Sequence, residues 1–69
     1  MEKLQITLAA ARVNAGMTQE EVATAMKVDR TTVIRWEKAK KIPNYDESER
    51  LSKLYRIPLD NIFFGKKTR

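Results

Sequence analysis

The sequence predicts an all-α fold, a compact five-helix bundle containing a helix-turn-helix, on three observations. Two short amphipathic segments, residues 18–26 and 29–38, are separated only by Lys27 and Val28, too short a link for anything but a sharp angle between helices. Each segment opens on a side chain suited to cap a helix N-terminus, Thr18 and Asp29. The outward face of the second segment is basic and carries no acid. Residues 1–65 read as one DNA-binding domain of this type and residues 66–69 as a basic C-terminal tail.

The first helix is expected over residues 4–15, alanine-rich, with Leu4, Leu8, Ala11 and Ala15 on one face and Gly16 as its stop. The second starts at Thr18. Its hydroxyl is placed to accept from the backbone three residues on while Glu21 reaches back, a capping box, and Met17 and Val22 are spaced as the accompanying apolar staple. Asp29 begins the third helix, with Val28 and Val33 in the same relation. In that helix Val33 and Trp36, three apart, turn inward, whereas Arg30, Thr31, Ile34, Arg35 and Lys38 share the opposite face. A basic loop follows, Lys38 to Pro43. The fourth helix begins at Asn44, with Glu47 completing a second capping box, and Pro58 ends it. Leu59 to Phe64 form a last element of about one and a half helical turns, stopped by Gly65. The expected core is Leu4, Leu8, Ala11, Met17, Val22, Ala23, Met26, Val28, Val33, Trp36, Leu51, Leu54, Ile57, Leu59 and Ile62.

Composition narrows the function classes. The 69 residues include no cysteine and no histidine, so disulfides, thiolate or imidazole metal sites and the commonest acid–base catalyst are excluded, and no cofactor is expected. No stretch resembles a leader or a membrane span, and a cytoplasmic location is expected. The net charge of +5 is unevenly placed. Residues 1–29 hold 3 basic and 4 acidic side chains, residues 30–42 hold 5 and 1, and residues 43–69 hold 6 and 4. Positive charge therefore concentrates on the third helix and the loop after it, the footprint of a phosphate-binding surface. Two guanidiniums there, Arg30 and Arg35, offer forked donors to guanine, and Thr31 and Ile34 offer contacts to a thymine methyl. These four are the candidate base contacts.

The run Thr18 to Ala23, followed by Val28 to Glu37, resembles the lambda-repressor-like family (Cro and repressor, xenobiotic-response-element type), and the similarity covers roughly residues 4–64. Two departures stand out: Lys27 and Ala39 occupy positions where the family usually has glycine. If the backbone is left-handed there, each costs on the order of 1 kcal/mol. The resemblance implies a sequence-specific, double-stranded DNA-binding transcriptional regulator similar to a small phage or prophage repressor or Cro protein. It implies that the recognition helix enters the major groove by its N-terminal half, and that Gln19, with the amides of the second helix, meets one DNA phosphate while Lys38, Lys40 and Lys41 lie along the next stretch of backbone. It also pairs Arg12 with Glu37, the lone acid of the basic stretch, as a structural ion pair. Ile62, Phe63 and Phe64 crowd three large apolar residues into a terminal turn. With Phe64 as the exposed candidate, Phe63 and Phe64 are the expected contact of a homodimer on DNA, which sets an approximately palindromic operator.

Met1 and the short basic end read as a complete small regulator, with the N-terminal domain of a longer repressor as the alternative. An enzyme is the class least supported, because so small a bundle has little room for a pocket of convergent tuned groups. An RNA binder would call for exposed aromatics beside the basic helix. An antitoxin or protein-interaction module on the same fold remains the rival reading.

Overall fold

A computed structural model describes residues 4–64. Its order is β1 (Ile6–Thr7), α1 (Leu8–Asn14), α2 (Gln19–Met26), α3 (Arg30–Glu37), α4 (Tyr45–Tyr55), a 3-10 turn (Leu59–Asn61) and β2 (Ile62–Phe63). Gly65 and the expected tail, residues 66–69, lie outside the described residues.

Three of the helices begin where their caps place them. Thr18 Oγ1 accepts from Glu21 N at 3.1 Å and Glu21 Oε1 accepts from Thr18 N at 2.8 Å. Asn44 and Glu47 repeat the reciprocal bonds at 2.8 and 2.9 Å ahead of α4. Because each box joins groups three residues apart, it forms independently of the rest of the fold. Asp29 stands at the N-cap of α3 but makes no side-chain bond to the helix amides. Its carboxylate instead accepts from the Thr32 hydroxyl at 3.3 Å.

The two ends of the chain depart from expectation. The bundle has four α-helices among the described residues, not five. Leu59 to Phe63, expected as a helix, makes one 3-10 turn and then extends into β2. β2 runs parallel to β1, with Ile6 opposite Ile62 and Thr7 opposite Phe63. Correspondingly α1 starts at Leu8 rather than at residue 4, capped by Thr7, whose Oγ1 accepts from Ala10 N at 3.1 Å. The β-branched pair Ile6 and Thr7 is at home in an extended strand, and a threonine at a helix start satisfies an amide the helix leaves free. Asn61 Nδ2 donates to the Leu4 carbonyl at 2.7 Å and Gln5 Nε2 to that of Asp60 at 3.3 Å, fastening the two ends side by side.

The core gathers Leu8, Ala11, Val22, Ala23, Met26, Val33, Trp36, Leu51, Tyr55 and Ile62, with Ile6, Met17, Val28, Leu54, Ile57 and Phe64 half-buried against it. Leu4 is 85% exposed, because the chain reaches it before α1 begins. Ala15 is also exposed, lying past the last turn of α1. Leu59 is half-buried. Tyr55, absent from the expected core, is inside it, and burial pushes its phenol up to about 12, with the nearby Glu37 charge adding to the rise. Trp36 is core, as its spacing from Val33 predicts, although its indole N–H finds no acceptor among the described residues.

Both glycine departures sit on left-handed backbone, Lys27 at φ 61° and Ala39 at φ 60°, and Arg56, which the sequence did not flag, joins them at φ 59°. Each closes the end of a helix: Ile57 N, just past Arg56, returns to Ser52 O at 3.1 Å, and Lys40 N, just past Ala39, to Arg35 O at 2.9 Å. Glycine relieves the Cβ clash at such a position but loosens the unfolded chain. Ala39→Gly and Arg56→Gly are each expected to stabilise the domain by ~0.5–1 kcal/mol, read as a higher urea midpoint at unchanged slope.

Candidate nucleic-acid interface

α3 is held by its inner side and exposed on its outer one. Val33 and Trp36 are 1% and 2% exposed, which fixes the helix about its own axis. Arg30, Thr31 and Arg35 are consequently exposed together, while Ile34 is half-buried at the margin of that face. Thr32, turned away, is occupied with Asp29. Past the end of α3 the left-handed turn at Ala39 directs Lys38, Lys40 and Lys41 into solvent as an exposed basic loop. The expected base-contact and backbone-contact residues of α3 and its loop are thus all exposed except Ile34, which is half-buried.

Arg12 and Glu37 meet as the resemblance implied. Arg12 Nε donates to Glu37 Oε2 at 2.7 Å and Nη2 to Oε1 at 3.4 Å, while Nη1 donates to the Met17 carbonyl at 3.0 Å. The two side chains retain only 17% and 7% of their exposure, so the pair is largely withdrawn from water. The Glu37 hydrogen bond, more than its charge, raises the Arg12 pKa above its ordinary value, against the opposing effect of burial.

Gln19, expected against a DNA phosphate together with the amides of α2, has two protein partners in this structure. Its Nε2 donates to Glu37 Oε1 at 3.1 Å and its Oε1 accepts from Arg30 Nη2 at 3.3 Å. The orientation of its amide follows from chemistry: a carboxylate only accepts and a guanidinium only donates, so nitrogen must face Glu37 and oxygen Arg30. Arg12, Glu37, Gln19 and Arg30 therefore form one chain of polar contacts from the edge of the core to the exposed helix. This chain could not be read from the sequence, where Gln19 and Arg30 are 11 residues apart on different helices. Arg12, Gln19 and Arg30 also line, with Glu20, an open hollow of about 480 Å³ at the start of α2.

The apolar terminal segment is less exposed than expected. Phe64 packs half-buried on the core, and Phe63 is half-buried in β2. Phe64 is thus not an exposed side chain: just past β2 it packs against the core, and with Phe63, Leu8 and Trp36 it lines a hollow of about 130 Å³. The largest exposed apolar side chains among the described residues are instead Leu4, Val13, Ile42 and Tyr45. No described helix is long and apolar enough to cross a membrane.

Comparison with known proteins agrees with this architecture. The HTH-type transcriptional activator BcrR of Enterococcus faecalis is 32% identical over 56 residues, 81% of this chain and 28% of that protein. The cryptic phage CTXphi transcriptional repressor RstR of Vibrio cholerae is 32% identical over 57 residues, 83% of this chain and 51% of that protein. The chain spans about half the length, or less, of these curated relatives. No solved structure matches significantly. A helix-turn-helix family model matches residues 8–62, from the first residue of α1 to the first of β2, and with the repressor-like order of its helices the chain belongs to the lambda-repressor-like helix-turn-helix family.

Proposed function

We propose that the protein is a sequence-specific, double-stranded DNA-binding transcriptional regulator acting in the cytoplasm, and that it works as a small phage-type repressor. The observation that carries this reading is the acid-free exposed face of α3, rigidly presented by Val33 and Trp36 and continued by the lysines of the following loop. A protein-binding module or antitoxin has no need of a recognition face without acids. The relatives' names point the same way, one a phage repressor and one an activator. Repression needs only occupancy of a promoter, which a domain of this size supplies without a second surface.

In this reading α3 lies in the major groove with Arg30, Thr31 and Arg35 toward base edges and Ile34 at the margin. The start of α2 and the loop lysines flank it along the two phosphate strands. Filter binding to duplex DNA at rising salt is the direct test, since a surface that neutralises phosphates loses affinity steeply as salt rises and a module that binds only protein does not. Lys41→Ala is expected to weaken binding to every duplex alike and to lower the salt slope by about 1, whereas an unchanged slope removes Lys41 from the interface.

The regulator binds as a homodimer on an approximately palindromic site, its two-fold contact at β2 around Phe63, with Phe64 supporting from beneath. So small a contact predicts monomers in free solution and pairing on DNA. Analytical ultracentrifugation with a selected operator should find two chains per duplex. One chain bound to a site lacking an inverted repeat removes the dimer.

A further inference from the structure

We propose that the hollow between the end of α3, the start of α1 and β2 is a binding site for a small, neutral aromatic molecule that carries a hydrogen-bond acceptor, held there by the Trp36 indole. The hollow measures about 130 Å³, and its apolar walls are Leu8, Phe63, Phe64 and Trp36. An apolar cavity of roughly 150 Å³ accommodates one benzene ring, so the space here fits a single six-membered ring and little more. Three of the four apolar walls are aromatic. Aromatic rings gain from offset or edge-to-face contact with one another beyond the area they bury, which favours a ring over an aliphatic occupant of equal size.

The buried donor fixes the rest of the chemistry. Trp36 is 2% exposed, and its indole N–H has no acceptor among the described residues. A buried donor in that state is destabilising, and an occupant that brings an acceptor recovers the loss. The side-chain acceptors that line the hollow are already engaged. Thr7 Oγ1 accepts from Ala10 N at 3.1 Å, and the Glu37 carboxylate accepts from Arg12 at 2.7 Å and from Gln19 at 3.1 Å. Lys38, at the same wall, only donates. The hollow therefore offers donors and asks for an acceptor. Glu37 also disfavours an anion, which selects a ring nitrogen or a carbonyl over a carboxylate. Since the walls join the end of α3 to β2, an occupant ties these two elements together and stabilises the folded chain.

The chain has one tryptophan, so its indole N–H gives a single resonance in the proton–nitrogen spectrum of the labelled full-length protein. Pyridine and benzene, rings of one size with and without an acceptor, are titrated in turn at mildly alkaline pH, where pyridine is uncharged. Pyridine should move the indole proton downfield and saturate with a dissociation constant of about a millimolar or tighter, shifting the amides of Leu8 and Phe63 with it. Benzene should shift those amides without the downfield movement of the indole. Either probe should raise the melting temperature. Trp36→Phe, its fold confirmed by circular dichroism, keeps a ring in the wall and removes the donor, so pyridine's affinity relative to benzene's should fall about two- to tenfold. If that variant does not fold, the indole shift of the wild type decides alone. No saturable change with either probe overturns the proposal, as does an unchanged pyridine-to-benzene ratio in Trp36→Phe. An indole proton that stays in place while pyridine saturates the neighbouring amides overturns it too, because the acceptor is then not what Trp36 holds.

Discussion

Glu37→Ala is expected to cost about 3 kcal/mol or more and to leave the domain close to unfolding at ordinary temperature. The cause is what remains behind. Arg12, with 17% of its side chain exposed, would keep its charge, lose two hydrogen bonds and retain only the Met17 carbonyl at 3.0 Å. An uncompensated guanidinium in that position cannot shed its proton at any ordinary pH, so desolvation is not relieved by neutralisation. In a domain of this size each lost kcal/mol lowers the melting temperature by roughly 4–8 °C, which places the expected fall at ~12 °C or more. Removing both charges together should be milder, since apolar replacement of a buried pair is often close to neutral. Thermal melts of Glu37→Ala and of Arg12→Leu/Glu37→Leu separate the two. A wild-type melting temperature for Glu37→Ala would show that the pair contributes nothing.

Arg35→Ala is expected to weaken the selected operator far more than a random duplex. Arg35 stands one turn beyond Thr31 on the exposed side of α3, the side that Val33 and Trp36 turn away from the core. An arginine bidentate to guanine discriminates by ~1–3 kcal/mol, roughly tenfold to a hundredfold, whereas an arginine on phosphate scarcely discriminates at all. The measurement is therefore the ratio of the two losses, with preference relaxing at one base pair in each half-site. Equal losses on the two DNAs would make Arg35 a phosphate anchor. Ile34→Ala serves as the control. Its side chain is half-buried at the edge of the same face, and its effect should be confined to sites with a thymine beneath it.

The middle of the chain was legible in advance because the signals that build it are local. Thr18 with Glu21 and Asn44 with Glu47 close their capping boxes within a single turn, and the Val33–Trp36 spacing decides which face of α3 is left outside. The pairing of Arg12 with Glu37 came from family resemblance and was met by the geometry. Where distant segments compete for the same residues, the sequence misled. The apolar run from Leu4 has helical periodicity, and so has the segment after Pro58, but the parallel pairing of Ile6 with Ile62 draws both into strand and shortens α1 to begin at Leu8.

What the sequence by itself determined is the helix-turn-helix, the basic acid-free face of α3 and most of the core, since capping and periodicity act over three or four residues whatever lies elsewhere. Only the tertiary structure decided that the chain ends pair as strands, that Tyr55 enters the core while Leu4 leaves it, and that Phe64 turns inward. It also decided that Gln19 faces Glu37 and Arg30 rather than solvent. Each of these depends on groups far apart in sequence competing for the same burial or the same hydrogen-bond partner, and that competition is settled only when the helices have packed.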